Sequence, residues 1–484
     1  MAGALPRGQP ERALVGEVRA VLECLPAGAT TLVAASGGAD SAALALLARR
    51  ARPDLHLVVV HVRHGLRDDA ADAAAAAALA RALDCDFVER KVTVTPGGRG
   101  MEAAARQARY HALREVARKR DAAAVLVGHT ADDQAETVLL ALGRGTGTGG
   151  LGGMRPVRHE GSVAVIRPLL RLRRAEIRAA AAAAGLRTVE DPTNADPDQR
   201  RRRARTEVLP AMAGLSGGDG DTVGLLTRLA ELARADADLL EDLAAAEVVR
   251  LVRSWGPVRV VPAGEVRALP TALARRVVRD LLAGVRGGRS GLDAAAIDRV
   301  LVLHPGGEVQ VAGGVRVTAN GGWLAAAPRG LGDLPARPLP VPGTVALPEV
   351  GLAVHAEMAG SAQPADPLSG SAVLPPRAVI PRGADGGAEA LLDVPAGVAL
   401  VVRARRPGDP VPGAPHRRLG DRLTDLGVPR ALRGLLPVIA ALGGAGPGSG
   451  VDRGAPLWVP GIAVHPSPAA AAQGVRLRLV PLHR

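Results

Sequence analysis

Six consecutive residues, Ser36-Gly37-Gly38-Ala39-Asp40-Ser41, carry the side chains and the backbone freedom that phosphate binding needs. Glycine lets the backbone approach a phosphate oxygen with no Cβ in the way. A helix starting here aims its first N–H groups and its positive end at the anion. Ser36 and Ser41 can donate hydroxyl hydrogen bonds. Asp40 would repel a bare phosphate, so its presence makes sense if it holds a cation such as Mg²⁺ that neutralises a leaving pyrophosphate. The plain alternative is a Ser/Asp-capped helix after a glycine turn. The order of residues between an apolar run and a helical pattern favours the phosphate reading. No G-x-x-x-x-G-K-[ST] pattern occurs, so a kinase-like grip on the β- and γ-phosphates is not indicated.

The segment Gly128-His129-Thr-Ala-Asp-Asp133-Gln-Ala-Glu136-Thr137 is the second constellation. Asp133 and Glu136 stand three apart and share one side of a helix. Together they can hold Mg²⁺ or receive a cationic amine. Taken alone, Asp133 is explained as well by a capping box with Thr130. His61 and His64 follow an apolar run, but no third ligand stands nearby, so a polar loop at a nucleotide is the better reading than a metal site. Gly145-Thr-Gly147-Thr-Gly-Gly150 matches G-x-G-x-x-G but follows a helix, so the dinucleotide reading fails its context, and a mobile loop over the site is expected instead. Arg200, Arg201, Arg202, Arg203 and Arg205 form a basic run. Such runs are usually solvated faces; after the acidic turn 190–194 this one suits phosphates of a nucleotide or a nucleic acid.

These segments need a scaffold. The pattern predicts a helix over 11–25, a strand over 31–35, a helix over 41–50, a strand over 55–62, a helix over 69–83 and a strand over 87–94. A helix over 102–120, a strand over 123–127 and a helix over 132–142 follow; a strand over 163–168 and a helix over 173–183 close the domain. Alternating strands and helices imply a mostly parallel sheet covered on both faces. Ligands bind beyond the carboxyl ends of such strands. The segments 36–41, 61–67 and 129–136 each leave a strand at that end, so they converge on one rim. After the glycine break at 216–220 the pattern is helical to about 303, then short β pieces follow at 308–318 and 322–327. Residues 328–390 are rich in Pro and Gly and read as linker-like or as a loosely built β segment. The expected division is 1–215, 216–330, 331–390 and 391–484.

Net charge is +13, and Lys91 and Lys119 are the only lysines. Codon bias accounts for arginine over lysine but not for an excess over acids, which favours a polyanionic partner. With an aromatic content of 1% the cores must be packed with Ala, Leu and Val, so stability should be modest for the length. Cys24 and Cys85 are the only cysteines, which excludes a disulfide scaffold and a Cys-rich zinc site. No signal-type N-terminus and no apolar stretch of about 18 residues appears, so a cytoplasmic protein with no membrane span is expected.

The Ser36–Ser41 loop resembles the motif of the PP-loop, or N-type, ATP pyrophosphatases. Within that group the chain resembles the tRNA(Ile)-lysidine synthase family, through 61–67, 128–145, 150–154, 167–177, 190–194, 201–205 and 208–210, and in the tail through 405–409, 416–438 and 457–464. Arg63 and Arg202 stand where the family pattern has Asn. The resemblance implies an N-terminal doubly wound, Rossmann-like α/β domain, a helical middle domain and a small α+β C-terminal domain, the last two binding tRNA. It implies an ATP-dependent ligase that joins free L-lysine to C2 of the wobble cytidine in the CAU-anticodon isoleucine tRNA. Adenylation of the base would release pyrophosphate, and attack by the lysine amine would release AMP. The resemblance then casts Asp40, Asp133 and Glu136 as catalytic, with Mg²⁺ on Asp40 and Asp133. Ser36, Gly37, Gly38, Ala39, Asp40, Ser41, His61, His129, Arg203 and Arg205 would bind ATP. Arg200, Arg201, Arg202, Arg405, Arg406, Arg417 and Arg418 would bind tRNA. Homodimer formation stays open. The alternatives are a PP-loop tRNA thiolase, disfavoured by the lack of C-x-x-C, and a small-molecule amide-forming synthetase, disfavoured by the basic patches.

Overall fold

The computed structural model describes residues 9–65, 69–94, 101–160, 163–189, 199–215, 221–289, 291–358, 389–392, 394, 398–442, 454–465 and 474–482. The chain divides into two compact units, Met1–Leu239 and Leu240–Arg484.

In the first unit the alternation of apolar runs and helical stretches becomes α1 (Gln9–Leu22), β1 (Thr30–Ala34), α2 (Ala39–Ala51), β2 (His56–Arg63), α3 (Ala70–Ala82), β3 (Asp86–Lys91), α4 (Met101–Lys119), β4 (Ala124–Leu126) and α5 (Ala131–Leu142). A short α6 (Thr148–Leu151), β5 (Val157–Glu160), β6 (Val163–Ile166) and α7 (Arg174–Ala183) follow. The six strands lie in the order β3-β2-β1-β4-β6-β5. All neighbours pair in parallel except β5, which runs antiparallel to β6 at the edge. The sequence reading did not contain β5: Val-Arg-His-Glu is too short and too polar to show alternation.

One sheet face is covered by α1, α2, α3 and α7, through Leu14, Val18, Leu22, Leu44, Leu47, Leu79 and Ile177. The other is covered by α4, through Ala112, Leu113, Val116 and Ala117. Burial on both faces explains why β1 and β2 read as continuous apolar runs rather than alternating ones. Leu, Val, Ile and Ala fill these cores, as the aromatic-poor composition requires. The expected doubly wound α/β domain is therefore present. Strand order reverses between β1 and β4, and the crevice at such a switch point is where ligands bind.

Residues Gln199–Arg203 form α8, which continues through a π-helical turn, Ala204–Val208, into α9 (Leu209–Leu215). Then comes α10, Thr222–Leu251, whose first half packs Val223, Leu226 and Ala230 on α5.

In the second unit the stretch expected to be helical to 303 carries a hairpin, Arg253–Trp255 with Val258–Pro262, before helices Ala263–Ala268, Thr271–Arg286 and Ala294–Leu301. The hairpin joins Trp323–Pro328, Val315–Asn320 and Glu308–Val311 in an antiparallel sheet. Two further sheets follow, of five and four strands, joined by a core centred on the fully buried Trp458. Residues 337–358, read as linker-like or loosely built β, form strands Arg337–Leu339, Gly343–Leu347 and Leu352–Met358; 359–388 lie outside the described residues. Among the described residues no helix is long and apolar enough to cross a membrane.

Candidate active site

The loop after β1 folds on itself. Ser41 Oγ donates to Gly38 O at 2.8 Å and accepts from Ser36 N at 3.2 Å, and Gly38 N donates to Ser36 Oγ at 3.4 Å. Gly37 has φ +87°, and a Cβ there would sit 2.8 Å from the Cα of Asp72. Gly38 is the N-cap of α2 in extended conformation, so the first free N–H groups of α2 point outward beside Ala39 and Asp40.

Gly128, at the end of β4, brings the second segment against this loop. A Cβ on Gly128 would lie 3.2 Å from Asp40 O. From there the chain enters α5 through a capping box. Thr130 N and Oγ1 both donate to Asp133 Oδ2, at 2.8 and 2.9 Å. The capping and the functional readings of Asp133 are thus both realised, one on each oxygen, because Oδ1 is left to face Arg174 Nη2 at 2.5 Å.

Arg174 ties the acids together. Its Nε donates to Asp40 Oδ2 at 3.2 Å, and its Nη1 lies 4.0 Å from Glu136 Oε1. Its backbone N–H donates to Asp132 Oδ2 at 2.7 Å. Asp40 Oδ1 accepts from Arg178 Nε at 2.6 Å, and Glu136 Oε1, 3% exposed, accepts from Arg205 Nε at 2.7 Å. Burial alone would push Asp133 up, but Arg174, the Thr130 N–H and His129 hold it below the usual carboxylate range. Burial would lower Arg174, but Asp133, Asp40, Glu136 and Asp132 raise it. Asp40 and Asp133 share one guanidinium, so both lie within reach of a single cation, and both offer the hard oxygens Mg²⁺ takes. Among the described residues no three His, Cys, Asp or Glu side chains gather as a metal site, so a magnesium ion here would take its remaining ligands from phosphate and water.

His61 lies beneath the loop. It is 4% exposed, and its Nδ1 donates to Ala35 O at 2.8 Å, fixing the end of β1. Arg63 bonds Asp69 at 2.7 Å and Glu89 at 3.2 Å, a framework role for the residue that replaces Asn. His129 is driven down to about 3, by burial first and then by Arg167, Arg106 and Arg109, with Asp133 opposing. The unfolded chain therefore binds a proton below about 6.5 that the folded chain refuses. The contribution of His129 to stability is present above that pH and is lost as pH falls towards 3, at up to about 1.4 kcal/mol per pH unit. Urea midpoints between pH 7 and 4.5 should fall less steeply in His129→Asn than in the wild type; equal slopes would disprove the assignment.

The basic run divides. Arg205, on the π-helical turn, reaches Glu136, and such turns recur at functional sites. Arg203 pairs instead with Glu207 at 3.1 Å on the exposed side, and Arg200 and Arg202 are exposed as well, with Arg201 half-buried. Residues 143–150, expected as a mobile loop over the site, are exposed and bond only locally; they leave the far end of α5, about 18 Å from its Thr130 cap. In the second unit Arg406, Arg417 and Arg418 are exposed and Arg405 is half-buried. Arg417 pairs with Asp425 at 3.2 Å, and Arg418 donates to Gly408 O at 2.6 Å. The neighbouring Asp409 is structural: it holds buried Arg403 at 2.7 and 2.9 Å.

Sequence reasoning did not single out Asp132, Arg174 or Arg178. The pair Arg173-Arg174 opening a helix was the available signal, but its destination is set only by folding.

Residues 17–212 match the family model described as the PP-loop domain. The chain is 36% identical over 470 residues to a tRNA(Ile)-lysidine synthase of Symbiobacterium thermophilum, covering 90% of both chains. It is 42% identical over 326 residues to a tRNA(Ile)-lysidine synthase of Salinispora tropica, covering 66% of this chain and 96% of that one. A solved structure of the U34-tRNA thiolase NcsA from Methanococcus maripaludis with its [4Fe-4S] cluster aligns with TM-score 0.41 at 18% identity, over 47% of this chain and 80% of that one.

Proposed function

Since this chain belongs to the tRNA(Ile)-lysidine synthase family, an ATP-using ligase family that modifies tRNA, we propose that it joins free L-lysine to C2 of the wobble cytidine of the CAU-anticodon isoleucine tRNA. The observation that carries this reading is Arg174 bonding both Asp40 and Asp133, which places the glycine loop and the 128–137 segment in one charged network at the switch point.

In the first step the C2 oxygen of cytidine attacks the α-phosphate of ATP. A C2–O–P bond forms, the bond between the α- and β-phosphates breaks, and pyrophosphate leaves with the added charge. The α2 N–H groups, the Gly38 turn and the Ser36 hydroxyl would stabilise that charge, with Ser41, whose hydroxyl donates to Gly38 O, holding the turn in shape. Mg²⁺, when bound, would be held by Asp40 and Asp133 and would neutralise phosphate charge. Arg174 and Arg205 supply further positive charge for the phosphates, at the moment the acids are taken up by substrate cations.

In the second step the ε-amine of lysine attacks C2. The C–N bond forms, the C–O bond to AMP breaks, and the amine loses a proton. Asp133, held ionised by its neighbours, is a holder of positive charge rather than a base at neutral pH. Glu136, buried and facing the same network, is the group we assign to position the amine and to take the proton it loses. Exposed Arg200, Arg202, Arg406, Arg417 and Arg418 offer contacts to the tRNA backbone. The substrates occur together in the cytoplasm, where we place the enzyme.

The test is mass spectrometry of the CAU-anticodon isoleucine tRNA after incubation with the protein, ATP and lysine. A gain of lysine minus water on the wobble cytidine is expected. A sulfur-sized gain, or none, would overturn the reading.

A further inference from the structure

Three carboxylates from two helices meet in the acidic network, and Arg174 stands between all three. Asp40 comes from the first turn of α2, Asp133 and Glu136 from α5. Arg174 opens α7, and its side chain is 17% exposed. Its Nε and Nη2 bond Asp40 Oδ2 and Asp133 Oδ1, and its Nη1 approaches Glu136 Oε1. Arg178 takes the other oxygen of Asp40, and Arg205 takes Oε1 of Glu136. Three guanidiniums thus face three carboxylates, and the protein balances the site with its own charges. Among the described residues no three acidic, histidine or cysteine side chains gather closely enough to hold an ion, and here a guanidinium is what stands between the acids.

A divalent ion and a guanidinium compete for the same oxygens. Mg²⁺ needs its oxygens at about 2.0–2.1 Å and sheds water reluctantly, whereas Arg174 already holds Asp40 Oδ2 and Asp133 Oδ1 at bonding distance. An ion entering beside Arg174 would add two positive charges to a balanced site. Arg174 does not yield by losing a proton, because a guanidinium in a protein stays charged. It yields only by moving, and a largely buried cation moves only towards an anion that receives it. Phosphate is such an anion: guanidinium forks match its oxygens, and the N–H groups of α2 that would hold a triphosphate begin beside Asp40. A nucleotide thus gives Arg174 a place to go and brings the negative charge that lets a metal stay.

We propose that Arg174 is a resident cation, which closes the seat on Asp40 and Asp133 to divalent metal until a nucleotide draws it away. Metal then enters this enzyme together with nucleotide and not before it. The inference rests on that part of the proposed function in which Asp40 and Asp133 hold Mg²⁺, and it needs neither lysine nor the tRNA. Arg174 is in this sense a positioning residue: it keeps the acids ionised, together and unoccupied, and hands them over when the phosphates arrive.

The experiment is calorimetric titration of the full chain with Mn²⁺, which takes the same hard oxygens as Mg²⁺, in the absence of nucleotide. The wild type should show no saturable site. Arg174→Gln should bind one Mn²⁺ at least about tenfold more tightly, since a neighbouring charge alters a carboxylate's affinity for a cation by about 10- to 1,000-fold. Adding Asp40→Asn to that variant should abolish the gain. Melting temperatures give a second readout. Arg174→Gln, with three carboxylates against two guanidiniums, should melt below the wild type in EDTA and recover with Mn²⁺. The wild type should respond to Mn²⁺ only once α,β-methylene-ATP, which does not release pyrophosphate, is present. Mn²⁺ binding by the nucleotide-free wild type as tight as that of Arg174→Gln overturns the proposal, and this arm needs no variant to fold. So does a variant that melts early yet gains no metal, the mark of a mere brace, or a gain that survives Asp40→Asn. Lysine transfer to the tRNA is read separately: its absence removes the proposed ligation, whereas metal on the nucleotide-free wild type removes only the role of Arg174.

Discussion

Replacing Asp40 with Asn lowers the rate of pyrophosphate release by about 10²–10³-fold, the cost of losing one preorganised charged group at a phosphoryl-transfer centre. The magnitude follows from where Asp40 sits. Its two oxygens meet Arg174 and Arg178, and its own backbone forms the first turn of α2. A carboxylate in the first turn suits the helix itself but repels an incoming phosphate unless a cation sits between the two. An amide keeps the shape but removes the charge, and with one acceptor oxygen in place of two it keeps only one of the hydrogen bonds from the two arginines. The fold should tolerate this, because Asp40 is partly exposed and exposed ion pairs contribute about 1 kcal/mol or less. Arg178→Ala is the control. Its side chain is 46% exposed and touches the same carboxylate, so it should cost less than about tenfold if Asp40 acts on the phosphates rather than merely pairing with Arg178. Quenched-flow measurement of pyrophosphate release separates the two. Undiminished release in Asp40→Asn would remove the loop from the chemistry.

The same geometry shows what a sequence can disclose. The strand, glycine loop and helix at 30–51 are written in consecutive residues, and the loop could be placed on a rim because strands alternating with helices imply a parallel sheet whose ligands sit beyond the carboxyl ends of its strands. Asp133 and Glu136 were visible as one face of α5 for the same local reason. Arg174 was not. It stands 134 residues from Asp40 and 41 from Asp133, and only the packing of α7 on α2 brings it between them. Nothing in the local pattern separates an arginine that neutralises three acids from one on a solvated face, which is where a run of basic residues is expected by default. Arg203 and Arg205 make the converse case. Two residues apart, they were read alike, yet the π-helical turn sends Arg205 to buried Glu136 and leaves Arg203 with Glu207 outside. The hairpin at 253–262 was missed because the helices on either side dominate any window that contains it. His61 and His129 were both read as contacts to the nucleotide. Their depth, which makes one a strand-end brace and lowers the proton affinity of the other, is a property of the packed sheet and not of the motif.

The two glycines of the loop should fail in opposite ways, and the contrast tests whether the loop is a ligand site or only a turn. Gly37 has φ +87° and would place a Cβ 2.8 and 2.9 Å from the backbone Cα and O of Asp72. The clash is with main chain, which cannot step aside as a side-chain tip can. Gly37→Ala should therefore destabilise by about 2–4 kcal/mol, combining a left-handed conformation with overpacking. Gly38 has φ −85° and ψ 166°, open to any residue, and a Cβ there would meet only Ser36 Oγ at 3.5 Å and Val189 O at 3.9 Å. Gly38→Ala should leave the urea midpoint unchanged or slightly raised, because alanine has less freedom to lose on folding. If the first turn of α2 grips the triphosphate, that same methyl stands where a phosphate oxygen must approach the backbone. The KM for ATP should then rise by about tenfold or more with the fold intact. A Gly38→Ala protein that is stable and binds ATP as the wild type does would mean that the turn serves the sheet and not the nucleotide. A Gly37→Ala protein as stable as the wild type would mean that the approach of α3 to the loop at Asp72 is looser than 2.8 Å implies.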